Sequence, residues 1–187
     1  MYKICRTEKS LNRQRQLEDG LLEYMDLVPF FKMEITDLCR HLNIPRKTFY
    51  RYFGSKEDAL YALIDHRIGD MNNYVRECKQ KFGQDRTASF FTFWKEQHRF
   101  LDILNRNYLG GVLMMRAVHQ NNIPMEYGGY EGVGGETEED YLTIFLISGM
   151  MTMMVQWYQS GFKKSIAELS EISEYLFRTP INDIFHL

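Results

Sequence analysis

The chain has 187 residues, of which 44% are hydrophobic and 26% are charged. This balance is typical of one ordinary globular domain or two small ones, and it excludes a disordered chain. The net charge of −2 conceals an asymmetry: the segment through Lys56 carries eleven Lys and Arg against seven Asp and Glu, whereas the remainder carries twelve against eighteen. A basic first third favours an anionic partner in that part of the chain.

Cysteine usage and the N-terminal sequence indicate the compartment. Cys5, Cys39 and Cys78 are odd in number and form no CxxC pair, which favours a reducing cytosol over a disulfide framework or a metal site. The N-terminus lacks the apolar stretch of a signal peptide, so we expect a cytoplasmic protein. Apolar residues recur at spacings of three and four, which predicts an all-α fold.

The first 42 residues predict two helices. Met1–Lys9 is polar, and we expect it to be frayed. A first helix is predicted from Ser10 to Leu27, because apolar residues recur along it at helical spacing, and Pro29 ends it. A second helix is predicted over Ile35–Leu42, and a short connection precedes it.

A short basic helix follows, between two breakers. Asn43 tolerates the left-handed backbone of a tight turn, and Pro45 suits the first helical position. Gly54 suits the position after the helix, where a left-handed φ ends it. Ser55 and Asp58 have the spacing of a capping box that opens the next helix.

The side chains of this short helix divide into two faces. Phe49 and Phe53 are i,i+4 neighbours that can face a core. The residues left on or near the outer surface are Arg46, Lys47, Thr48, Tyr50, Arg51 and Tyr52. Two helices joined by a tight turn, with a supporting helix before them, form a helix-turn-helix, whose second helix can enter a DNA major groove. There, Arg46, Lys47, Thr48 and Arg51 could reach base edges or phosphates.

The middle of the chain predicts a long helix from Ser55 to Phe82 with a continuous apolar stripe. In this all-helical reading, the segment Thr87–Asn107 that follows is rich in aromatic residues, and Tyr108–Gln120 carries Leu109, Leu113, Met114 and Val118. The glycine-rich stretch Asn121–Gly135 is predicted to be a loop, and loops of this length are often mobile or functional.

The last two predicted helices are apolar. Tyr141–Phe162 carries no charge and is long enough to span a membrane, but Ser148, Thr152 and Gln156 form one polar line along it. We favour a buried helix of a soluble protein, covered on one side by its own domain and on the other by a partner subunit. Gly161 ends it, and Ser165–Phe177 forms a last amphipathic helix.

The segment Met33–Leu63 resembles the DNA-binding domain of TetR-type transcriptional regulators. The resemblance is carried by Ile-Thr-Asp-Leu-Cys, by the run Thr48–Phe53 and by Ser55–Leu60, and the rest of the chain matches more loosely. It implies phosphate contacts for Tyr50, Tyr52 and Lys56, and a homodimer whose last two long helices, near 137–160 and 165–177, pair with their copies in a four-helix bundle. Glu34 departs from the family, which often has Thr or Ser there, and its carboxylate would repel a phosphate.

Together these observations predict an all-α protein with a helix-turn-helix DNA-binding domain at residues 1–54 and a helical effector-binding and dimerisation domain at 55–187. The predicted function is a ligand-responsive repressor that binds a palindromic double-stranded DNA operator as a homodimer. The predicted DNA-binding residues are Thr36, Arg46, Lys47, Thr48, Tyr50, Arg51, Tyr52 and Lys56. The alternative is a protein–protein adaptor that retains the fold without specific DNA binding.

The aromatic and Met content after residue 86 is compatible with ordinary core, and it also suits a pocket for a small apolar or aromatic effector. Trp94, Met114, Met150 and Met154 are the predicted lining residues. The five histidines form no metal-binding spacing, no glycine-rich loop follows a strand, and no nucleophile–base pair is evident. We therefore predict neither an enzyme nor a bound metal or cofactor.

Overall fold

The computed structural model describes residues 2–82, 85–121 and 138–179, and within these ranges the chain is all-helical, which confirms the predicted fold class. The described ranges contain one 3-10 helix, Phe30–Lys32, and nine α-helices. The α-helices are α1 (Glu8–Leu27), α2 (Ile35–His41), α3 (Arg46–Tyr50), α4 (Lys56–Phe82), α5 (Arg86–Glu96), α6 (His98–Arg106), α7 (Gly110–Asn121), α8 (Glu138–Gln159) and α9 (Ile166–Arg178). The predicted loop Asn121–Gly135 lies outside the described residues, apart from Asn121, which ends α7.

The first three helices pack around one apolar cluster. Leu21 and Leu38 are completely buried, and Phe49 and Phe53 are each only 1% exposed. Asn43 has a φ of 50°, so the predicted left-handed turn between α2 and α3 is present. The predicted core face of the short helix is therefore confirmed.

The residues that begin and end α3 differ from the prediction. Pro45 precedes the helix as its N-cap, with a ψ of 142°, and does not occupy the first helical position. Gly54 does not have a positive φ; among the described glycines only Gly161 does. The chain leaves α3 through the turn that follows Tyr50, so it does not need a left-handed glycine.

α4 links the N-terminal helices to the rest of the chain. Ser55 caps it by accepting the N–H of Asp58 at 3.1 Å, and the Asp58 carboxylate accepts the N–H of Gly54 at 3.2 Å. With 27 residues, α4 is about 40 Å long. Its predicted stripe is buried at Leu60, Ile64, Ile68, Met71 and Cys78.

α1 and α4 run antiparallel, and polar side chains pair along their contact. Arg15 binds Asp70 at 2.7 and 2.9 Å, and Glu18 lies 2.7 Å from Nδ1 of His66. From the first pair to the second, the residue number rises along α1 and falls along α4, as it must for antiparallel helices. α1 and α4 thus support the N-terminal region together.

The aromatic-rich segment Thr87–Asn107 forms two helices, because the chain divides into α5 and α6 at Gln97. Gln97 has φ −90° and ψ 21°, and no Gly or Pro marks the break. The bend lets two aromatic segments face the same core, and Trp94 and Phe100 stack with ring centroids 6.4 Å apart. α7 then begins at Gly110 rather than Tyr108, which has a φ of 59°.

α8 is buried on one face by the rest of the chain, as predicted, and the predicted cover of its other face by a partner subunit stays a prediction. Met151, Met154 and Trp157 are at most 3% exposed, whereas Leu142 and Phe145 are 69% and 72% exposed. By length and composition, Tyr141–Gln159 could cross a membrane, and 22% of its most apolar stretch is buried inside the protein. Gly161, with a φ of 73°, ends the following turn as predicted, and α9 begins with a capping box between Ser165 and Glu168.

Candidate nucleic-acid interface

α3 separates apolar from cationic side chains. Phe49 is buried toward the helical core, whereas Arg46, Lys47 and Arg51 are exposed to solvent. Thr48 is half-buried, and Tyr50 is 46% exposed. The helix therefore presents three cations and a phenol on one exposed surface, as binding to a polyanion requires.

Arg46 is held by Tyr50, one helical turn further along. Its guanidinium donates to the Tyr50 hydroxyl at 3.3 Å and lies 5.7 Å from the centre of the ring. This hydrogen bond to Tyr50 raises the pKa of Arg46 above its usual value. Arg46 is thus positively charged and partly ordered before it meets a ligand.

Two predicted phosphate ligands have other contacts. Tyr52 is only 7% exposed and belongs to the apolar cluster. The Lys56 ammonium donates to the carbonyl of Phe30 at 3.0 Å and to that of Met33 at 2.8 Å. Lys56 thereby joins the start of α4 to the 3-10 helix, a role that the sequence alone did not indicate.

The start of α2 carries the remaining predicted residue. Thr36 is exposed, and beside it Glu34 is the exposed N-cap and makes no capping hydrogen bond through its side chain. Asp37 in the same turn pairs with Arg40 at 2.6 Å. The carboxylates of Glu34 and Asp37 make this helix end less attractive to phosphate than the exposed face of α3.

The prediction of a frayed N-terminus is wrong for residues 2–6. The backbone N–H of Lys3 donates to the carbonyl of Tyr52 at 2.9 Å, and the Tyr2 hydroxyl donates to Asp65 at 2.5 Å. Tyr2 and Cys5 both pack against the core. Their spacing of three within a polar stretch is the signal that could have indicated this contact.

A buried amide fixes α6 to the N-terminal region. The Asn107 side-chain oxygen accepts the N–H of Phe30 at 2.6 Å, and its amide donates to the carbonyls of Met25 and Ile103 at 3.2 and 2.8 Å. Nearby, Arg106 hydrogen-bonds to Asp26 and lowers the pKa of that carboxyl. The 3-10 helix that receives Lys56 is thus also attached to α6.

α6 is in turn attached to α8. The Tyr158 hydroxyl donates to Asp102 at 2.7 Å, and burial, together with this hydrogen bond, raises the pKa of Tyr158 to about 12. The contacts form a continuous series from α8 through α6 to the 3-10 helix and Lys56, which begins α4 just beyond α3.

A second feature is a groove of about 1020 Å³ between α8 and α9. Its walls are formed by Phe145, Ser148, Gly149, Thr152, Met153, Gln156, Trp157, Ser160, Lys163, Lys164, Glu168, Leu169 and Ile172. The predicted polar line of Ser148, Thr152 and Gln156 lies along its wall. Phe145, which is 72% exposed, lies at its edge.

The four predicted effector-pocket residues are not among the walls of this groove. Trp94 and Met154 are completely buried, and Met114 and Met150 are half-buried against the core. The Trp94 indole N–H is buried and has no hydrogen-bond partner among the described residues. No group of three His, Cys, Asp or Glu side chains suited to a metal occurs in the described ranges.

No protein-family model and no curated protein sequence matches this chain. A similar solved structure is that of the fatty acid degradation regulator FadR from Bacillus halodurans, with a TM-score of 0.53 and 12% sequence identity. The match covers 95% of this chain and 99% of that chain. At this identity the likeness concerns the fold, and the chain therefore has the all-α fold of a helical regulator.

Proposed function

We propose that this protein is a sequence-specific, double-stranded-DNA-binding transcriptional regulator of the TetR type. The observation that carries the proposal is α3, which presents Arg46, Lys47 and Arg51 to solvent while Phe49 and Phe53 fix it to the core. The fold likeness to a regulator over nearly the whole of both chains supports it. On this proposal the protein is cytoplasmic, is not an enzyme and needs neither a cofactor nor a membrane.

The exposed residues of α2 and α3 supply the proposed base and phosphate contacts. Arg46, Lys47, Thr48 and Arg51 are the candidates for base edges or phosphates, since they lie on the exposed or half-exposed surface. Tyr50 and Thr36 are candidates for phosphates. Tyr52 and Lys56 contribute by holding α3 in place, because one is buried and the other is bound to backbone carbonyls.

The proposed assembly is a homodimer through α8 and α9. Its support is the exposed apolar surface of Leu142, Phe145 and Leu146 on α8 and of Tyr175 and Phe177 on α9. This number of exposed large apolar side chains on two helices suits an interface in a water-soluble protein. Two copies related by two-fold symmetry would present two α3 helices to a palindromic operator.

The proposed division of labour assigns residues 1–54 to DNA binding and 55–187 to dimerisation and effector binding. The effector is proposed to be a small apolar or aromatic molecule in the aromatic core around Trp94. A buried indole N–H without a partner costs about 1–3 kcal/mol, and an oxygen atom of an effector would satisfy it. The structural neighbour regulates fatty acid degradation, and fatty acids are apolar.

Regulation is proposed to act through helix spacing. An effector that binds one arrangement of α5–α8 better than another would shift α4 and α6, which both hold the 3-10 helix, and α3 directly precedes α4. Because an operator requires a fixed separation of the two α3 helices, a small shift lowers affinity, and the protein acts as a repressor that its effector releases. Operator affinity that stayed constant at saturating effector would contradict this mechanism.

The test is binding to genomic fragments upstream of the gene for this protein, with and without random competitor DNA, across a salt series. Wild type should bind one fragment specifically, with affinity that falls steeply as salt rises. Lys47→Ala should weaken binding on the order of tenfold and reduce the salt slope by about 1 if Lys47 contacts a phosphate. Lys79→Ala is the matched control, because this exposed lysine lies 23 residues beyond Lys56 on α4, about 35 Å along the helix.

Affinity equal for specific and random DNA, with no salt dependence, would favour the adaptor instead. Equal effects of Lys47→Ala and Lys79→Ala would contradict the assignment of α3 as the contact surface. Circular dichroism and thermal unfolding of both variants would exclude a folding defect, since both lysines are exposed.

A further inference from the structure

The N-terminal arm, which we define as residues 2–6, lies against the end of the basic helix. The Lys3 backbone N–H donates to the carbonyl of Tyr52 at 2.9 Å, and Tyr52 directly follows the exposed Arg51 in the chain. The Lys3 backbone is therefore one hydrogen bond away from the turn that leaves α3. This hydrogen bond places the exposed Lys3 beside the turn that contains the exposed Arg51.

The arm is anchored on its inner side by two contacts. The Tyr2 hydroxyl donates to Asp65 at 2.5 Å, and Asp65 is buried and paired with Arg116, whose Nε donates to it at 2.7 Å. Cys5 is half-buried against the core. The backbone of the arm is therefore ordered without any ligand.

The outer side of the arm carries cations. Lys3 and Arg6 are both exposed, as is Ile4 between them, whereas Tyr2 and Cys5 are half-buried. Anchoring a short basic segment before binding reduces the entropy lost when it meets a partner. A solvated charged surface alone would not explain why the segment is attached so closely to the end of α3.

We propose that Lys3 and Arg6 form a second DNA contact, which binds backbone phosphates beside the groove that α3 enters. This inference rests on the proposed DNA-binding function and extends it to a segment outside the helix-turn-helix. Phosphate contacts of this kind fix the position of a protein on the duplex and strengthen binding to all sequences. The arm therefore contributes affinity and register rather than base specificity.

The test compares two double variants on the fragment that wild type binds. In Lys3→Ala/Arg6→Ala the backbone N–H of residue 3 remains, so the hydrogen bond to Tyr52 and the Tyr2 anchor are retained. Lys79→Ala/Arg86→Ala removes the same charge from exposed residues near the far end of α4 and the start of α5. The arm variant should weaken binding on the order of tenfold and reduce the salt slope by about 2 per half-site, with the preference for specific over random DNA retained.

Phosphate-ethylation interference gives a positional readout of the same contact. Wild type should show interference at phosphates next to the α3 half-site that the arm variant lacks, and the other positions should be common to both. If wild type binds DNA specifically and the arm variant matches it in affinity, slope and footprint, the inference is overturned while the proposed function remains. If the control double variant loses as much as the arm variant, net charge explains the effect and the arm contact is refuted. If wild type shows no specific binding, the proposed function fails first, and the arm contact fails with it.

Discussion

The N-terminal helices and the last two helices use the same kinds of apolar residue in opposite ways. Around α3, Phe49 and Phe53 are each 1% exposed, and the surface is left to cations. On α8, Leu142 and Phe145 are 69% and 72% exposed within a single chain. Apolar surface in water is costly at roughly 25 cal/mol per Å², so the two regions differ in what they need for stability.

The difference fits the two partners that we propose. Phe49 and Phe53 are buried within one chain, and the exposed surface of α3 is polar and basic, which suits a polyanion that is bound reversibly. On α8, Leu142 and Phe145 stay exposed within one chain, which suits the permanent neighbour of the proposed dimer. The two surfaces therefore fit the proposed DNA operator and the proposed second copy of the chain.

The largest expected effect comes from a substitution in the buried core of the N-terminal helices. Phe53→Ala should lower the free energy of unfolding by about 3–5 kcal/mol, because Phe53 is 1% exposed and its ring packs at a tilt against that of Phe49, with centroids 5.3 Å apart. Urea denaturation followed by circular dichroism would measure it. Phe31→Ala is the matched control, since Phe31 is 68% exposed, and it should change stability by less than about 0.5 kcal/mol. Equal losses in the two variants would contradict the division into buried and exposed phenylalanines.

The next largest effect concerns the exposed apolar surface of α8. Phe145→Arg should weaken the proposed dimer by about 2 kcal/mol or more, because a charge would be placed where two copies bury an aromatic side chain. Sedimentation velocity over a concentration series would show the shift toward monomer. Phe31→Arg adds the same charge at a similarly exposed phenylalanine outside α8 and α9, and it should leave the dimer intact. A monomeric wild type, or a dimer equally sensitive to both variants, would refute the assignment of this surface.

The comparison also explains which parts of the fold could be predicted from sequence. Helix periods and turn residues are local signals, so the all-α class, the α4 stripe and the Asn43 turn were predictable and are present. The break at Gln97 was not, because nothing local ends the helix there; the bend follows from packing two aromatic segments on one core. The prediction of a left-handed φ at Gly54 was wrong, because glycine permits such a backbone conformation but does not require it.

The candidate site shows the same limit. The exposed positions of Arg46, Lys47 and Arg51 follow from helical periodicity. The contacts of Lys56 with the carbonyls of Phe30 and Met33, and of Asn107 with Phe30, join residues 23 to 77 positions apart. Such long-range polar contacts depend on how elements pack together, which no local pattern specifies. The docking of residues 2–6 on Tyr52 and Asp65 belongs to the same class.

The smallest expected effect concerns the hydrogen bond between Tyr158 and Asp102. This bond connects α8 to α6, which is in turn attached to the N-terminal helices. Tyr158→Phe removes the hydrogen bond to Asp102 and should cost about 1 kcal/mol of unfolding free energy near pH 8. The pKa of Tyr158 in the folded protein is about 12, above the usual value of about 10, so its contribution is complete below pH 10 and is lost as pH rises toward 12. The stability difference between wild type and Tyr158→Phe, measured by urea denaturation at steps from pH 8 to 12, should therefore shrink at alkaline pH. A difference that grew over that range would show that the phenol is bound as its anion, and the link between α8 and α6 would need another explanation.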